Sequence, residues 1–180
     1  MPTHNRFVSS AVVAKLLFAT VLTASHASFA AESKHVPTNP KIDAKAFLAI
    51  TQEALDHREE RRLTEADFMR MSAEPGTIVL DARSAKRFGE LHIADAINLN
   101  FSDITAESLA KIIPSPNTRV LIYCNNNFAN APQAFPTKLP SASLNLSTFT
   151  ALYNYGYRNV YELGPFVDVA KTKLMLVASK

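Results

Sequence analysis

Two short stretches of the chain are apolar almost without interruption, TIVLDA at 77–82 and RVLIYC at 119–124, and turn-forming residues bound the first. Continuous apolar runs rich in branched residues predict strands buried on both faces, as in a parallel sheet. NVYEL at 159–163 predicts another strand, and a brief one falls around Ala96–Leu99. Between these runs the spacing becomes helical. From Asp43 to about Arg62, Phe47, Ile50, Ala54 and Leu55 recur near the period of a helix, which predicts burial of Phe47, Ile50 and Leu55. Thr64 can cap a second helix with Asp67 reaching back to it, Phe68 and Met71 forming its buried face and Pro75 and Gly76 ending it.

Residues 85–101 offer a short helix, a turn and the brief strand, and Thr105 to Ile113 predicts a helix stopped by Pro114. Pro132, Pro136 and Pro140 forbid one long helix after residue 124, because each removes an amide donor and crowds the preceding turn. A long irregular segment must follow there. Helical pattern resumes from Ser147 to Tyr155 with Gly156 as its cap, and Pro165 can open a last helix as its first residue. Strands alternating with helices point to an α/β sandwich with a mostly parallel central sheet flanked by helices.

The amino end changes the picture of the working chain. Arg6 and Lys15 precede an apolar run from Leu16 to Ala24, with small residues at Ser28 and Ala30, which is the pattern of a secretory signal peptide over 1–30. The uncharged run is short for a permanent membrane helix, which takes about 20 apolar residues. Cleavage after Ala30 is expected, giving a periplasmic or secreted protein with no stable membrane anchor. Residues 31–61 then read as a polar leader and the first helix, and 62–180 as the main domain. Without Arg6 and Lys15 the basic residues fall to 17 against 16 acidic, so no nucleic-acid or polybasic footprint remains. The mixed signs of HREERR at 57–62 indicate a solvated face.

Cys124 is the only cysteine in the chain, so no intrachain disulfide is available. It is either a small buried hydrophobe or a thiol kept for its chemistry. Its place favours chemistry, because ligand sites of open parallel sheets lie beyond the carboxyl ends of the strands, where Cys124 enters a loop. Inward-pointing backbone amides there can stabilise a thiolate. Asparagine tolerates left-handed backbone angles next best after glycine, so the run Asn125, Asn126, Asn127 reads as such a cradle or as an ordinary surface turn.

At these residues the chain resembles the rhodanese-like domains over roughly 62–170. TIVLDARSAKRFGELHIADAINLNF is similar to the family's first half, RVLIYC and its loop to the active-site half, and YGYRNVYELGPF to the closing strand and turn. The resemblance implies a rhodanese-like sandwich and sulfur transfer through a Cys124 persulfide, with Asn125, Asn126, Asn127, Phe128, Ala129 and Asn130 around the sulfur. It implies a small sulfur donor, a thiol or other nucleophilic acceptor, and no metal or other cofactor. Asp81 and Arg83 are read as structural, and so is His92. The loop holds no lysine or arginine for an anionic donor, and its seventh position is Asn130 where a cysteine phosphatase needs arginine. The segment 131–146 is longer than a compact member needs and is expected over the mouth of the loop, as a lid or a protein-partner surface. Phe135 and Lys138 are its candidate apolar wall and positive charge. The alternative to an enzyme is a rhodanese-like module that binds an anion or a partner and turns over nothing.

Overall fold

The computed structural model describes residues 37–179; the signal-peptide reading falls outside them, as do residues 31–36 of the leader. In chain order the described elements are α1 (Ala44–Arg58), β1 (Arg62–Leu63), α2 (Glu65–Ser72), β2 (Ile78–Asp81), α3 (Ala85–Glu90), β3 (His92–Ile93), β4 (Ile97–Asn98), α4 (Ala106–Ile112), β5 (Val120–Tyr123), β6 (Phe128–Ala129), α5 (Leu144–Asn154), β7 (Val160–Leu163), β8 (Val167–Asp168) and β9 (Leu176–Val177). Short 3₁₀ turns lie at Glu59–Arg61, Phe101–Asp103, Asn125–Asn127 and Pro140–Ala142.

Five strands form a central sheet in the order β1-β7-β5-β2-β4, every adjacent pair parallel. Alternation along the two longest apolar runs divides the core. Val120 and Ile122 of β5, with Leu80 and Val160, pack against Ala54 of α1, Leu109 of α4 and Phe149 and Leu152 of α5. Leu121 and Tyr123 point the other way, among Phe68, Met71, Val79, Phe128, Phe135 and Leu163. A central strand covered on both faces needs apolar residues at every position, which is why RVLIYC reads as a continuous run.

Side chains and one glycine cap the helices, Thr64 and Gly156 as the sequence suggests. Asp43 and Thr64 cap α1 and α2 through their side chains, and the Thr64 hydroxyl donates to the Asp67 carboxylate at 2.8 Å. Thr105 and Ser108 form a reciprocal capping box at the start of α4. Gly156 follows α5 with φ of 93°, a left-handed angle that costs a glycine nothing.

Three expectations are corrected. The exposed side of α1 carries Phe47, 58% accessible, and the helix is anchored by fully buried Ala54, because small Ala54 lets its backbone come close to α5. The second is the start of α5, which begins at Leu144, three residues before the predicted Ser147. Among the described residues, no helix follows Pro165. Val167 pairs in parallel with Phe128, Asp168 Oδ1 accepts from the Ala170 amide, and Leu176 pairs with Ile93. A proline that can start a helix can equally start an extended segment, and here neighbouring strands offer partners for the backbone.

Candidate functional site

The strand β5 delivers Cys124 to the carboxyl end of the sheet in extended backbone, with φ of −147°. Its side chain emerges on the face of Val120 and Ile122, toward α1 and α5, while Tyr123 turns away. The Tyr123 hydroxyl accepts the Ile93 amide at 3.1 Å, and burial pushes its phenol well above the usual range, so it is not poised to exchange a proton with the thiol. Cys124 is 1% accessible and lies in the wall of a cavity of about 340 Å³. The cavity is also lined by Arg58, Asn126, Asn127, Ser143, Asn145 and Glu162, with Pro140, Leu146, Leu163, Gly164 and Phe166 supplying less polar surface.

Asn127 organises the loop. Its Oδ1 accepts the Cys124 amide at 2.9 Å and the Asn145 Nδ2 at 3.1 Å, and its Nδ2 donates to the carbonyls of Leu163 and Pro165 at 2.7 and 3.2 Å. One amide side chain therefore ties the thiol's strand end to β7 and to α5. Asparagine suits this place because it alone supplies two donors and a two-fold acceptor on a short stem. Gly164 completes the join: its amide bonds the Leu63 carbonyl at 2.9 Å, and a Cβ there would meet that oxygen at 3.0 Å.

The other loop residues divide. Asn126 lines the cavity and exchanges two hydrogen bonds with the backbone of Lys138, while Asn125 donates to the Pro136 carbonyl at 2.8 Å and lines a neighbouring recess instead. Phe128 is buried in the opposite core layer, stacked on Phe135 with centroids 4.3 Å apart, and Ala129 pairs with Asp168. Asn130 is exposed, with φ of 65°, and its hydrogen bond to Asp168 helps hold that carboxyl below its ordinary value, after the Ala170 amide. The left-handed angle expected of the asparagine run thus occurs at Asn130, whereas Asn125–Asn127 form a right-handed 3₁₀ turn. The structure brings together Cys124, Asn126 and Asn127 and leaves Asn125, Phe128, Ala129 and Asn130 outside this cavity.

The segment 131–146 lies beside the site as part of the wall. Its Ser143 Oγ is 3.4 Å from Cys124 Sγ, and Pro140, Asn145 and Leu146 line the same cavity. Phe135 is not the cavity's apolar wall, because it is buried beneath Arg83, whose guanidinium sits 4.2 Å from the ring centroid. Lys138 faces the recess shared with Arg83 and Asn125, so it does not supply the charge either. Among the described residues, the cation lining the cavity is Arg58 of α1. Its Nε donates to Glu162 Oε2 at 2.9 Å and its Nη2 to Oε1. Burial pushes the Glu162 carboxyl up, and the Arg58 guanidinium draws it back.

Asp81 and Arg83 hold the first strand end. Both are buried, their pair is bidentate with a closest approach of 2.6 Å, and Arg83 also donates to the carbonyls of Ala134 and Leu91, each at 2.8 Å. His92 stacks on Phe88 with centroids 3.7 Å apart and bonds the Phe88 carbonyl through Nδ1 at 2.8 Å. Asn145, part of a glycosylation-type triplet with Ser147, is only 5% accessible and belongs to the cavity wall.

A mostly parallel α/β sheet with a lone cysteine at the end of its central strand defines the class of protein. The rhodanese-like domain matches residues 64–164, more than half of the chain, and the chain belongs to that family. No curated protein matches it. Among solved structures, the BH2092 protein from Bacillus halodurans is 24% identical, covering 64% of this chain and 76% of that one with a TM-score of 0.43. A structure described as rhodanese with anions from E. coli is 20% identical, covering 57% and 98% with a TM-score of 0.39. Thiosulfate sulfurtransferase from Pseudomonas aeruginosa is 16% identical, covering 73% of this chain but 23% of that one, with a TM-score of 0.47.

Proposed function

We propose that this protein is an exported, periplasmic sulfurtransferase that carries sulfane sulfur on Cys124. The single observation that carries this reading is the placement of the thiol: the chain's one cysteine stands at the carboxyl end of the central strand, in the wall of a cavity, with the Ser143 hydroxyl in contact. Attack of the thiolate on the outer sulfur of a donor would form a new S–S bond, the donor's remainder leaving with the electron pair of the bond that breaks. A nucleophilic acceptor, a thiol among them, would then attack the outer sulfur of the persulfide and return Cys124 to the thiolate. The Ser143 hydroxyl can donate to sulfur in its anionic states, and Asn127 keeps the strand end in place while the charge moves.

The second reading is a binding module without turnover, favoured by the 1% accessibility of Cys124 and by asparagine side chains that mostly serve to hold the loop. Intact mass spectrometry after exposure to thiosulfate, mercaptopyruvate or a polysulfide separates the two. A gain of one sulfur atom that is lost on adding a thiol, and is absent in Cys124→Ser, is the expected result. No gain with any donor in the folded protein rejects the enzyme reading.

A further inference from the structure

Among the described residues, two charged side chains line the Cys124 cavity, Arg58 and Glu162, and they are bonded to each other. Glu162 sits on β7 in register with Ile122 of β5, so it shares the sheet face on which Cys124 emerges two positions later. Arg58 reaches it from α1, outside the residues that the family matches. Two guanidinium nitrogens engage the two carboxylate oxygens, and the side chains are 17% and 2% accessible respectively. This is the fork-to-fork geometry in which an arginine spends its directional hydrogen bonds on one planar anion.

The arrangement sets the field felt by a ligand. An arginine beside a reactive sulfur would ordinarily favour an anionic donor, but here its countercharge is in contact and more deeply buried. A dianion entering would have to give up hydration for a cation already neutralised, with a carboxylate behind it. Pro140, Leu146, Leu163 and Phe166 add apolar wall suited to an organic group, beside the uncharged polar side chains of Asn126, Asn127, Ser143 and Asn145.

We propose that the Arg58–Glu162 pair determines the substrate class of this site: Glu162 cancels the charge of Arg58, so the cavity rejects inorganic dianions and accepts organic persulfides. This rests on the reading that Cys124 carries sulfur. With such a donor the thiolate attacks the outer sulfur and forms the new S–S bond. The organic thiolate leaves with the electron pair of the old bond, and the transferred sulfur keeps its proton.

Titration calorimetry with sulfate, an unreactive dianion, tests the charge argument apart from the chemistry. Wild type is expected to show no saturable binding. Glu162→Gln keeps the shape and removes the countercharge, so it should bind sulfate at least about tenfold more tightly, and the double variant Arg58→Met/Glu162→Gln should lose that gain. The rate of persulfide formation from thiosulfate, relative to that from cysteine persulfide, should rise with Glu162→Gln and return in the double variant. Sulfate binding unchanged by Glu162→Gln overturns the inference, as does binding by wild type as tight as that of the variant. If Glu162→Gln does not fold, wild type is compared with Arg58→Met: sulfate binding that this change removes overturns the inference, and no binding by wild type supports it. Absence of a persulfide with every donor would instead reject the sulfur-transfer reading while leaving the calorimetry intact, so the two failures are separable.

Discussion

Ser143 Oγ lies 3.4 Å from Cys124 Sγ, joining the N-cap of α5 to the end of β5 across 19 positions of sequence. The contact exists because the proline-bearing segment closes through a 3₁₀ turn at Pro140–Ala142 and brings its last residue back to the sheet. Replacement by alanine removes a hydrogen-bond donor from the sulfur without changing the fold. A hydrogen bond of about 1 kcal/mol corresponds to roughly a fivefold effect. Iodoacetamide should therefore label Ser143→Ala about fivefold more slowly than wild type at neutral pH, with an unchanged melting temperature.

Asn127 makes four side-chain hydrogen bonds that join the thiol's strand end to β7 and α5. Asn127→Ala would strip partners from the Cys124 amide and the Leu163 carbonyl, both buried, and unsatisfied buried groups cost about 1 to 3 kcal/mol each. A loss of roughly 3 kcal/mol in urea unfolding is expected, together with altered reactivity of the thiol. Asn126→Ala, which breaks more exposed bonds, should cost under about 1 kcal/mol.

The Asp81–Arg83 pair is a structural clamp, buried to 0% and 2% accessibility. Arg83→Met leaves an unpaired carboxylate in the core and removes the donors to Ala134 and Leu91. Breaking a buried pair on one side costs about 3 to 5 kcal/mol. Thermal unfolding should show that loss, while any residual folded fraction keeps a reactive Cys124.

Acid should release the carboxyl-terminal strand first. Glu65 accepts from the Thr172 hydroxyl and the Lys173 amide, and the Thr172 bond chiefly holds its carboxyl below the ordinary value of 4.5. A carboxyl lowered in the folded state contributes stability above its unfolded value, lost as pH falls through the folded one. The protection factors of the Lys173 and Leu174 amides, taken against the intrinsic exchange rate at each pH, should fall below pH 4.5 in wild type. Glu65→Gln should abolish that step and leave exchange in β5 unchanged.

Four of the five strands of the central sheet and the place of the cysteine were legible because their causes are local, whereas the edge strand β1 and the short pairs β3–β9 and β6–β8 were not. A strand covered on both faces must be apolar at consecutive positions, so TIVLDA and RVLIYC declare themselves, and the chain leaves the second run at Cys124. Thr64 likewise caps its helix through a neighbour three residues away. The rest of the site depends on distance through the fold. Arg58 meets Glu162 across 104 positions, within a run whose mixed charges suggest only a solvated face, and nothing near Glu162 in sequence marks it as a partner. The same limit explains Phe47 and Pro165. Helical spacing identifies a face but not how closely a neighbour approaches it, and an extended segment after a proline is chosen by the strand beside it. Tertiary packing decides such matters because burial, unlike a cap or an apolar run, is a property of pairs of surfaces that the chain brings together only when folded.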